Sequence, residues 1–484
     1  MMKYITAIII GLLTALSYFL ELYILVPITI ALTLAFILKN NEFYKKPEFL
    51  LGLITFVLVH SHWFLSLHFW TGLSSAVVIY LGISLYFFII LYLFFYLIKY
   101  LLRIPKGYFL IPVYWIMGEW LMTKGVFGYP FFSLYLTQVG SPFKWLAFSS
   151  INGHALTLYL VTISLFFALL LTKTFNIKRN IVLFSIFFLI ISSVAMSSFL
   201  DQKHEKTRKI EISVIQPNIS QKNKTDEKLF DQNLNKYKEL INKAVSNHPE
   251  TDIVILPENI IPALWETKIK ETLCFNSEIG NRLCIFGQPV KRDNRIYNSM
   301  LFYKHGDYVA EYHKRQLVPF GEYLPFLSDW VSLTDMIYYY PGEKEENMIS
   351  IKSLKIGPLI CFESAFSALI PVEKNYDLGV VLTNDAWFNK YFQLLHLKTV
   401  QFRAIEHQAP FAFSSNTGIS AVIDHNGKIM QIIPSNKTGI ISVSVSLPEY
   451  KKNALQQIMY FLPLWMIIFL LILTADKHNY FYKK

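Results

Sequence analysis

Residues 354–366 read LKIGPLICFESAF, an apolar and β-prone run that ends in a cysteine followed closely by a glutamate. Short runs rich in Ile, Val and Leu are typical of buried strands, so we expect a strand that ends at Cys361. Similar runs flank it, among them IEISVIQ, TDIVILP and DLGVVLTN, with helix-like stretches at 226–247 and 394–407 between them. Strands that alternate with helices predict a layered α/β fold for this part of the chain.

The chain as a whole is too apolar for an ordinary soluble protein. Of its 484 residues, 53% are hydrophobic and only 16% are charged, which predicts an α-helical membrane bundle. We expect eight transmembrane helices, at 4–20, 22–38, 49–66, 76–98, 107–123, 153–172, 180–198 and 459–475. The predicted domains are therefore a seven-span region, a catalytic α/β region, and a last span with its tail, at 1–200, 201–457 and 458–484.

Positive charge predicts how the chain is oriented. One set of alternating loops and the C-terminal tail are rich in Lys and Arg, at Lys39, Lys45, Lys46, Lys99, Arg103, Lys106, Lys173, Lys178, Arg179, Lys477, Lys483 and Lys484. Such loops face the cytoplasm, so we expect both termini inside and the α/β region in the periplasm, on a bacterial inner membrane. The net charge of +11 is spread over loops and tails without a basic helix or stripe, so we expect no nucleic-acid partner.

Three residues at the edges of apolar runs suggest covalent acyl chemistry. Glu258 lies in ILPENIIPALW (255–265) and Lys314 in EYHKRQLVPFGEYLPF (311–326), and both precede Cys361. A thiol becomes a good nucleophile beside a base or a positive charge, which suits Glu258 as the general base. A charged Lys314 cannot act as a base, and it suits stabilisation of an oxyanion, with the backbone N–H of Phe362 as a second donor. Taken singly, each residue type is more often an ordinary surface or core residue.

Other features leave alternatives open. Cys274 and Cys284 either pair or, as we favour, Cys284 is a small buried strand residue. Glu119 lies within a predicted span, where a carboxylate usually faces a cavity or a partner, so it either faces substrate or makes a structural hydrogen bond. The aromatic stretch GVFGYPFFSLYLTQ (125–138) predicts an interfacial anchor or the lining of a lipid entry path. The Lys-rich stretches 203–209 and 221–228 predict solvated linkers.

Several motifs carry a family resemblance. The strings LPEN, YHKRQLVPFGEYLPF and CFES resemble the Glu–Lys–Cys motifs of the nitrilase, or carbon–nitrogen hydrolase, superfamily. Further similar stretches are VIQPNI (214–219), NDAWF (384–388), FRAIEHQAPF (402–411) and SSNTGISAVIDHNGKI (414–429). With seven spans before this region and one after it, the whole arrangement resembles the apolipoprotein N-acyltransferase family. Departures include Phe362, where the family commonly has Tyr, and the stretch SQKNKTDE (220–227), which lacks a family Trp.

The resemblance implies both a fold and a set of site residues. It implies a nitrilase-like αββα sandwich for the outer region. It also implies that Cys361 is the nucleophile, Glu258 the base and Lys314 the oxyanion stabiliser. Glu322 and Glu363 match further carboxylates that are regarded as necessary in the family.

The resemblance also implies a two-step reaction. The enzyme takes a fatty acyl chain from a membrane phospholipid as a Cys thioester and passes it to the N-terminal amine of a diacylglyceryl-cysteine apolipoprotein. Trp387 and Phe388 are expected to form a mobile lid. This chemistry requires no metal and no diffusible cofactor, and nothing in the sequence demands more than a monomer. The alternatives are a membrane-tethered amidase or nitrilase acting on a small amide, and an inactive membrane scaffold.

Overall fold

The protein divides into two compact units. The computed structural model describes residues 1–125, 128–144, 147, 153–172, 207–274, 279–323, 338–343, 348–369 and 376–448. The first unit contains the helices up to residue 172, and the second contains the strands and helices from residue 207 onward. The predicted spans at 180–198 and 459–475, and the domain boundaries near 201 and 457, lie outside the described residues.

The first unit is helical. Its α-helices are α1 (Met2–Phe19), α2 (Leu25–Lys39), α3 (Pro47–Ser61), α4 (His68–Thr71), α5 (Leu73–Arg103), α6 (Ile111–Met122) and α7 (His154–Thr172). Short 3₁₀ helices occupy Phe43–Lys45, His62–Leu67, Gly107–Leu110, Pro130–Phe132 and Leu134–Gln138. Within the described residues, three helical stretches are long and apolar enough to cross a membrane, at Met2–Phe19, Pro47–Leu67 and Leu73–Arg103.

The first six predicted spans overlap helices α1–α3 and α5–α7. Helix α2 has 15 residues and α6 has 12, fewer than the roughly 20 that a bilayer core requires. Eight spans therefore stay a prediction. Helices α1 and α3 approach closely at Gly11. The two backbones are so near each other that a Cβ at Gly11 would collide with the carbonyl oxygen of Gly52. Small residues that let backbones approach in this way are typical of helix pairs in membranes.

The aromatic stretch after α6 is neither an exposed anchor nor an open lining. Its residues from Tyr129 to Gln138 are all buried within the helical unit. The Phe132 ring packs against His60 with a centroid distance of 4.3 Å, and the hydroxyl of Tyr18 donates to the Phe132 carbonyl at 2.6 Å. The prediction of an interfacial belt was therefore wrong for this part of the loop. Non-helical backbone among membrane helices is stable when it is buried in protein with its polar groups satisfied.

Glu119 supplies two of those contacts. Its carboxylate accepts the Leu134 backbone N–H at 2.8 Å and the Thr157 hydroxyl at 3.0 Å, and the side chain is buried. These bonds match the structural hydrogen bond that was one of the two interpretations of Glu119. A substrate-binding role stays a prediction that these contacts do not require.

The second unit is built from two six-stranded sheets. The first sheet has the order β12-β1-β2-β3-β4-β5 and the second β11-β10-β9-β8-β7-β6. The strands are β1 (Thr207–Gln216), β2 (Ile253–Ile255), β3 (Leu283–Arg292), β4 (Arg295–Lys304), β5 (Asp307–His313), β6 (Ile349–Ile351), β7 (Leu354–Ile360), β8 (Leu378–Thr383), β9 (Phe411–Ser415), β10 (Ser420–Ile423), β11 (Ile429–Ile433) and β12 (Gly439–Pro448).

Helices and shorter turns connect these strands. The α-helices are α8 (Gln221–Thr225), α9 (Phe230–Asn247), α10 (Glu266–Ile269) and α11 (Lys390–His407). The 3₁₀ helices are Glu227–Leu229, Cys361–Ala365 and Ser367–Leu369, and a π turn covers Lys270–Cys274.

Successive residues of a strand point to opposite faces of its sheet. Apolar residues on both faces pack the two sheets and the helices outside them into four layers. In β1, Ile212 and Val214 join a core cluster that also contains Ile356 and Val380 from the second sheet, so the two sheets pack face to face. The outer face of the first sheet packs against α9, and the outer face of the second against α11. Both sheet faces are buried, which explains the nearly continuous apolar runs in the sequence. The prediction of a nitrilase-like domain with two sheets is confirmed.

Parallel pairing brings the ends of several strands together. Strands β1, β2 and β3 pair in parallel in one sheet, and β7, β8 and β9 pair in parallel in the other. Loops at the carboxyl ends of parallel strands are where α/β folds usually carry their sites. Cys284 carries a free, buried thiol in β3, as expected of a small strand residue.

Candidate active site

Glu258 lies just beyond the end of β2 and is held by donors from two other segments. Its Oε1 accepts the Asn298 amide at 2.7 Å, and its Oε2 accepts the Asn384 backbone N–H at 3.0 Å. The side chain is buried. Burial raises the pKa of Glu258, and the Glu322 carboxylate adds to this rise, while Lys314, Asn298 and Lys224 oppose it. A carboxylate with a raised pKa accepts a proton more readily than an ordinary glutamate.

Gly287 on β3 gives Glu258 the room that it needs. A Cβ at this glycine would lie 2.5 Å from the Cα of Glu258 and 2.8 Å from the backbone nitrogen of Asn259. Both atoms belong to the main chain, which cannot rotate away as the end of a side chain would. Any residue with a side chain at position 287 must therefore displace the segment that carries Glu258.

This close approach makes Gly287→Ala a sharp test of the position of Glu258. We expect the rate of a reaction that uses Glu258 as its base to fall about 100-fold, as for a displacement of about 1 Å, and unfolding to become easier by about 1–3 kcal/mol through overpacking. Single-turnover kinetics and thermal unfolding measure the two effects. Gly82→Ala is the control, because a Cβ at Gly82 meets nothing within 4 Å. An unchanged rate in Gly287→Ala would contradict the assignment of Glu258.

Lys314 follows β5 directly and lies between two carboxylates. Its Nζ is 2.8 Å from Glu322 Oε1 and 3.7 Å from Glu258 Oε1, and its side chain is only 1% exposed. Burial alone would lower the pKa of Lys314, but the two carboxylates outweigh it and raise the pKa above its ordinary value. Lys314 therefore stays charged, as stabilisation of an oxyanion requires.

Glu322 holds both its own loop, residues 318–322, and the Lys314 ammonium. Its Oε1 accepts both Lys314 Nζ and the Asn298 amide at 2.8 Å, and its Oε2 accepts the Val318 N–H at 2.8 Å. Asn298 thus bridges Glu258 and Glu322 from the middle of β4. The structure thus brings together Glu258, Glu322 and Lys314. The Asn298 amide joins the two carboxylates, and the lysine lies beside both of them.

Cys361 stands at the junction of β7 and the 3₁₀ helix Cys361–Ala365, in a left-handed backbone conformation with φ of 51°. Such a conformation costs about 1–2 kcal/mol for a residue with a Cβ and is often found at functional sites. In the parallel pair β7–β8, Ile360 lies beside Leu382, so Cys361 is next to the end of β8. The segment that follows β8 is the one that holds Glu258.

The surroundings of Cys361 favour the protonated form of its thiol. The side chain is partly buried, and burial raises the pKa of the Cys361 thiol well above its usual range, with the Glu258 carboxylate acting in the same direction and Lys314 opposing it. Attack by sulfur therefore requires that the proton leave as the new bond forms. The raised pKa of Glu258 provides the acceptor.

Glu363 ties the cysteine turn to the lysine segment. Its Oε2 accepts the Ile360 N–H at 2.8 Å, and its Oε1 accepts the N–H groups of Arg315 and Gln316 at 2.7 and 3.1 Å. The Tyr312 hydroxyl donates to the same carboxylate at 2.9 Å. Glu363 is fully buried. These contacts give it a positioning role between the segments of Cys361 and Lys314.

The remaining predicted residues are more peripheral. Phe362 is partly buried beside Phe366, with a ring centroid distance of 4.9 Å. Trp387 is 37% exposed, while the Phe388 ring packs 4.3 Å from that of Phe392. A lid role for Trp387 and Phe388 stays a prediction, and Glu119 lies in the helical unit.

Sequence reasoning missed a histidine that contacts the backbone of Cys361. His396 on α11 contacts both oxygens of Asp385 through Nδ1 at 3.1 Å, and its Nε2 lies 3.0 Å from the Cys361 carbonyl oxygen. Burial alone would lower the pKa of His396, but Asp385 and the hydrogen bonds raise it. The raised pKa favours the imidazolium form, in which both nitrogens are donors, and Nε2 also lies 2.8 Å from the Ser364 hydroxyl. The sequence signal for this pair was Asp385 in the NDAWF motif, but its partner His396 lies eleven residues further along the chain.

The stretch at 221–228 is not a solvated linker. Residues 221–225 form α8, and within it Lys224 is only 1% exposed. Its Nζ donates to the Glu258 carbonyl at 3.0 Å and to Asn384 Oδ1 at 3.1 Å. A run of lysines looks solvated in sequence because the acceptors that bury one of them come from distant segments. In the other predicted linker, residues 207–209 belong to β1.

The sequence of the α/β domain matches a known family. Residues 211–453 match the family model described as carbon-nitrogen hydrolase. An apolipoprotein N-acyltransferase of Haemophilus ducreyi is 29% identical over 344 residues, 66% of this chain and 66% of that protein. The protein of the same name from Pasteurella multocida is 28% identical over 435 residues, 83% of this chain and 82% of its own. A crystal structure of a carbon-nitrogen hydrolase from Helicobacter pylori aligns with a TM-score of 0.39 and 16% identity, over 57% of this chain and 97% of that one.

Proposed function

The chain belongs to the carbon-nitrogen hydrolase family, and we propose that it is an acyltransferase that adds a fatty acyl chain to the N-terminus of apolipoproteins. The donor is a membrane phospholipid, and the acceptor is the amine of a diacylglyceryl-cysteine. The similarity to apolipoprotein N-acyltransferases extends over both the helices and the α/β domain. A buried Lys314 Nζ, 3.7 Å from Glu258 Oε1, is the observation that supports the reaction, and the Cys361 thiol interacts electrostatically with both groups.

The first half-reaction forms a thioester. The Cys361 thiol gives its proton to Glu258 while sulfur attacks the ester carbonyl carbon of the phospholipid. The carbonyl oxygen becomes an oxyanion, which Lys314 and the backbone N–H of Phe362 stabilise. The carbon–oxygen ester bond then breaks, and the departing lysophospholipid oxygen takes the proton back from Glu258.

The second half-reaction consumes the thioester in a ping-pong sequence. The amine nitrogen of the lipidated cysteine attacks the thioester carbonyl, and Glu258 removes a proton from that nitrogen. The same oxyanion site stabilises the second tetrahedral intermediate. The carbon–sulfur bond breaks, an amide remains, and the Cys361 sulfur recovers its proton from Glu258. Exclusion of water matters here, since hydrolysis of the thioester would waste the donor.

Both substrates reside in a membrane, which accounts for the helical unit. We propose eight spans, both termini in the cytoplasm and the α/β domain in the periplasm of an inner membrane. Three long apolar helices among the described residues and the Lys and Arg residues in alternate loops support this arrangement.

The proposed function predicts a covalent adduct. After incubation of the full chain in phospholipid vesicles without acceptor, intact-mass and peptide mass spectrometry should show a fatty-acyl increment on Cys361. The thioester is stable in the absence of acceptor only if water is kept out, and adding a diacylglyceryl-cysteine peptide should discharge it. Hydrolysis of small amides without any fatty-acyl increment would instead indicate a membrane-tethered amidase and would overturn the proposal.

A further inference from the structure

One buried ammonium has no part in the two half-reactions. Lys224 lies on α8, a short helix in which the Ser220 hydroxyl accepts the Asn223 N–H at 3.3 Å. Lys224 is 1% exposed, whereas Lys222 on the same helix is exposed. Burying a lysine is costly unless its donors are satisfied. A lysine retained in such a position is held there by specific contacts and not by packing.

The contacts of Lys224 converge on the proposed base. Its Nζ donates to the backbone carbonyl of Glu258 at 3.0 Å and to Asn384 Oδ1 at 3.1 Å. The backbone N–H of Asn384 in turn donates to Glu258 Oε2 at 3.0 Å. Lys224 therefore holds Glu258 twice, directly at the main chain and, through Asn384, at the carboxylate oxygen.

Two further amides brace the same unit. Asn416 Nδ2 donates to Asn384 Oδ1 at 3.0 Å, and Asn384 Nδ2 donates to Gln221 Oε1 at 2.9 Å. Asn384 is thus fixed from α8 and from the end of β9. Its orientation, and with it the N–H that reaches Glu258, is set by this network.

The charge of Lys224 also bears on Glu258. Burial lowers the pKa of Lys224 to about 7, and the nearby Glu258 carboxylate opposes that decrease. Reciprocally, Lys224 is one of the influences that lower the pKa of Glu258. The titratable groups that interact with Glu258 are Lys224, Lys314, Glu322, Tyr339, Cys361 and His396.

We propose that Lys224 is a positioning residue for acyl transfer, which locks Glu258 and Asn384 into one unit and so aims the carboxylate at the site of Cys361. The inference rests on the proposed function. It assigns a task to α8, a segment whose lysine-rich sequence looks like a linker. Lys224 acts through Glu258 and contacts neither substrate nor the reacting sulfur.

The test is Lys224→Met in the full chain, with Lys222→Met on the same helix as the matched control. Methionine fills a similar volume without donors or charge. We expect the first-order rate of acyl-enzyme formation to fall about 10–100-fold, with the apparent KM for phospholipid unchanged within about twofold. The rising limb of the pH–rate profile should move to higher pH, because Glu258 loses a nearby cation and then ionises at higher pH. Lys222→Met should match the wild type in both readouts.

A second variant covers the case in which Lys224→Met does not fold. Asn384→Ala keeps the backbone N–H to Glu258 but removes the acceptor of Lys224, and it should slow the same step without changing KM. Where both variants fold, the double variant should be no slower than the slower single variant, since both break one chain of contacts.

The outcomes separate this inference from the proposed function. If the wild type forms acyl-enzyme and Lys224→Met forms it at the same rate and with the same pH profile, the positioning role is overturned and the proposed function is not. A loss that appears wholly in KM, or only in proportion to the unfolded fraction, would also overturn it. Absence of acyl-enzyme in the wild type itself would overturn the proposed function.

Discussion

Cys361→Ala should abolish the fatty-acyl adduct completely, the largest effect that we expect from any single substitution. Alanine has no nucleophilic atom, so the thioester has nowhere to form. Alanine also carries a Cβ, as cysteine does, so the left-handed conformation at φ 51° costs both residues about the same. The thermal unfolding midpoint should therefore stay close to that of the wild type. Intact-mass spectrometry after incubation with phospholipid vesicles measures the adduct.

Cys284→Ala serves as the thiol control. Cys284 is fully buried in β3, so its removal should leave the adduct in place. Acylation that survives in Cys361→Ala, on any residue, would place the nucleophile elsewhere and refute the assignment. Loss of the adduct in Cys284→Ala, with the fold intact, would do the same.

Lys314→Met should slow acyl-enzyme formation by about 10³-fold. Loss of one oxyanion donor accounts for about 10²–10³, and loss of the ammonium further raises the pKa of Glu258, so that less of the base is available near neutral pH. The folded state should also lose about 3–5 kcal/mol, since the buried Glu258 and the partly buried Glu322 are left without their shared cation. Single-turnover kinetics gives the rate, and denaturant unfolding gives the free energy of unfolding.

A double variant separates the catalytic loss from the folding loss. In Lys314→Met/Glu322→Gln, one of the two uncompensated carboxylates is also removed, because Glu322 is the partner at 2.8 Å. We expect part of the stability to return while the rate stays at the level of Lys314→Met. Recovery of the rate together with the stability would show that Lys314 is structural and that the oxyanion is stabilised by another group.

The strands, and the positions of Glu258, Lys314 and Cys361 at strand ends, could be predicted from sequence because their signals are local. The run IEISVIQ alternates with period two, and it forms β1, where Ile212 and Val214 point into the inner core. Glu258, Lys314 and Cys361 each follow an apolar run directly, and strand ends are where a fold gathers its sites. Their proximity was still an inference from motif order, and the structure supplies the 3.7 Å between Lys314 and Glu258.

The misassigned segments depend on contacts that are distant in sequence. Lys224 is buried by acceptors that lie 34 and 160 residues further along the chain, so no local pattern could distinguish it from its exposed neighbour Lys222. The aromatic stretch at 129–138 is held by Tyr18, 114 residues before its contact. In both cases burial is decided by partners that satisfy polar groups, which composition does not encode.

The contacts of Glu363 have a consequence for the proposed reaction. The Glu363 carboxylate accepts the N–H of Ile360, just before Cys361, and the N–H groups of Arg315 and Gln316, just after Lys314. Hydrogen bonds to one side chain therefore join the segment that carries the sulfur to the segment that carries the ammonium. These hydrogen bonds couple the position of the Cys361 segment to that of the Lys314 segment. Under the mechanism that we propose, one arrangement of sulfur and ammonium serves both the glycerolipid donor and the lipidated acceptor.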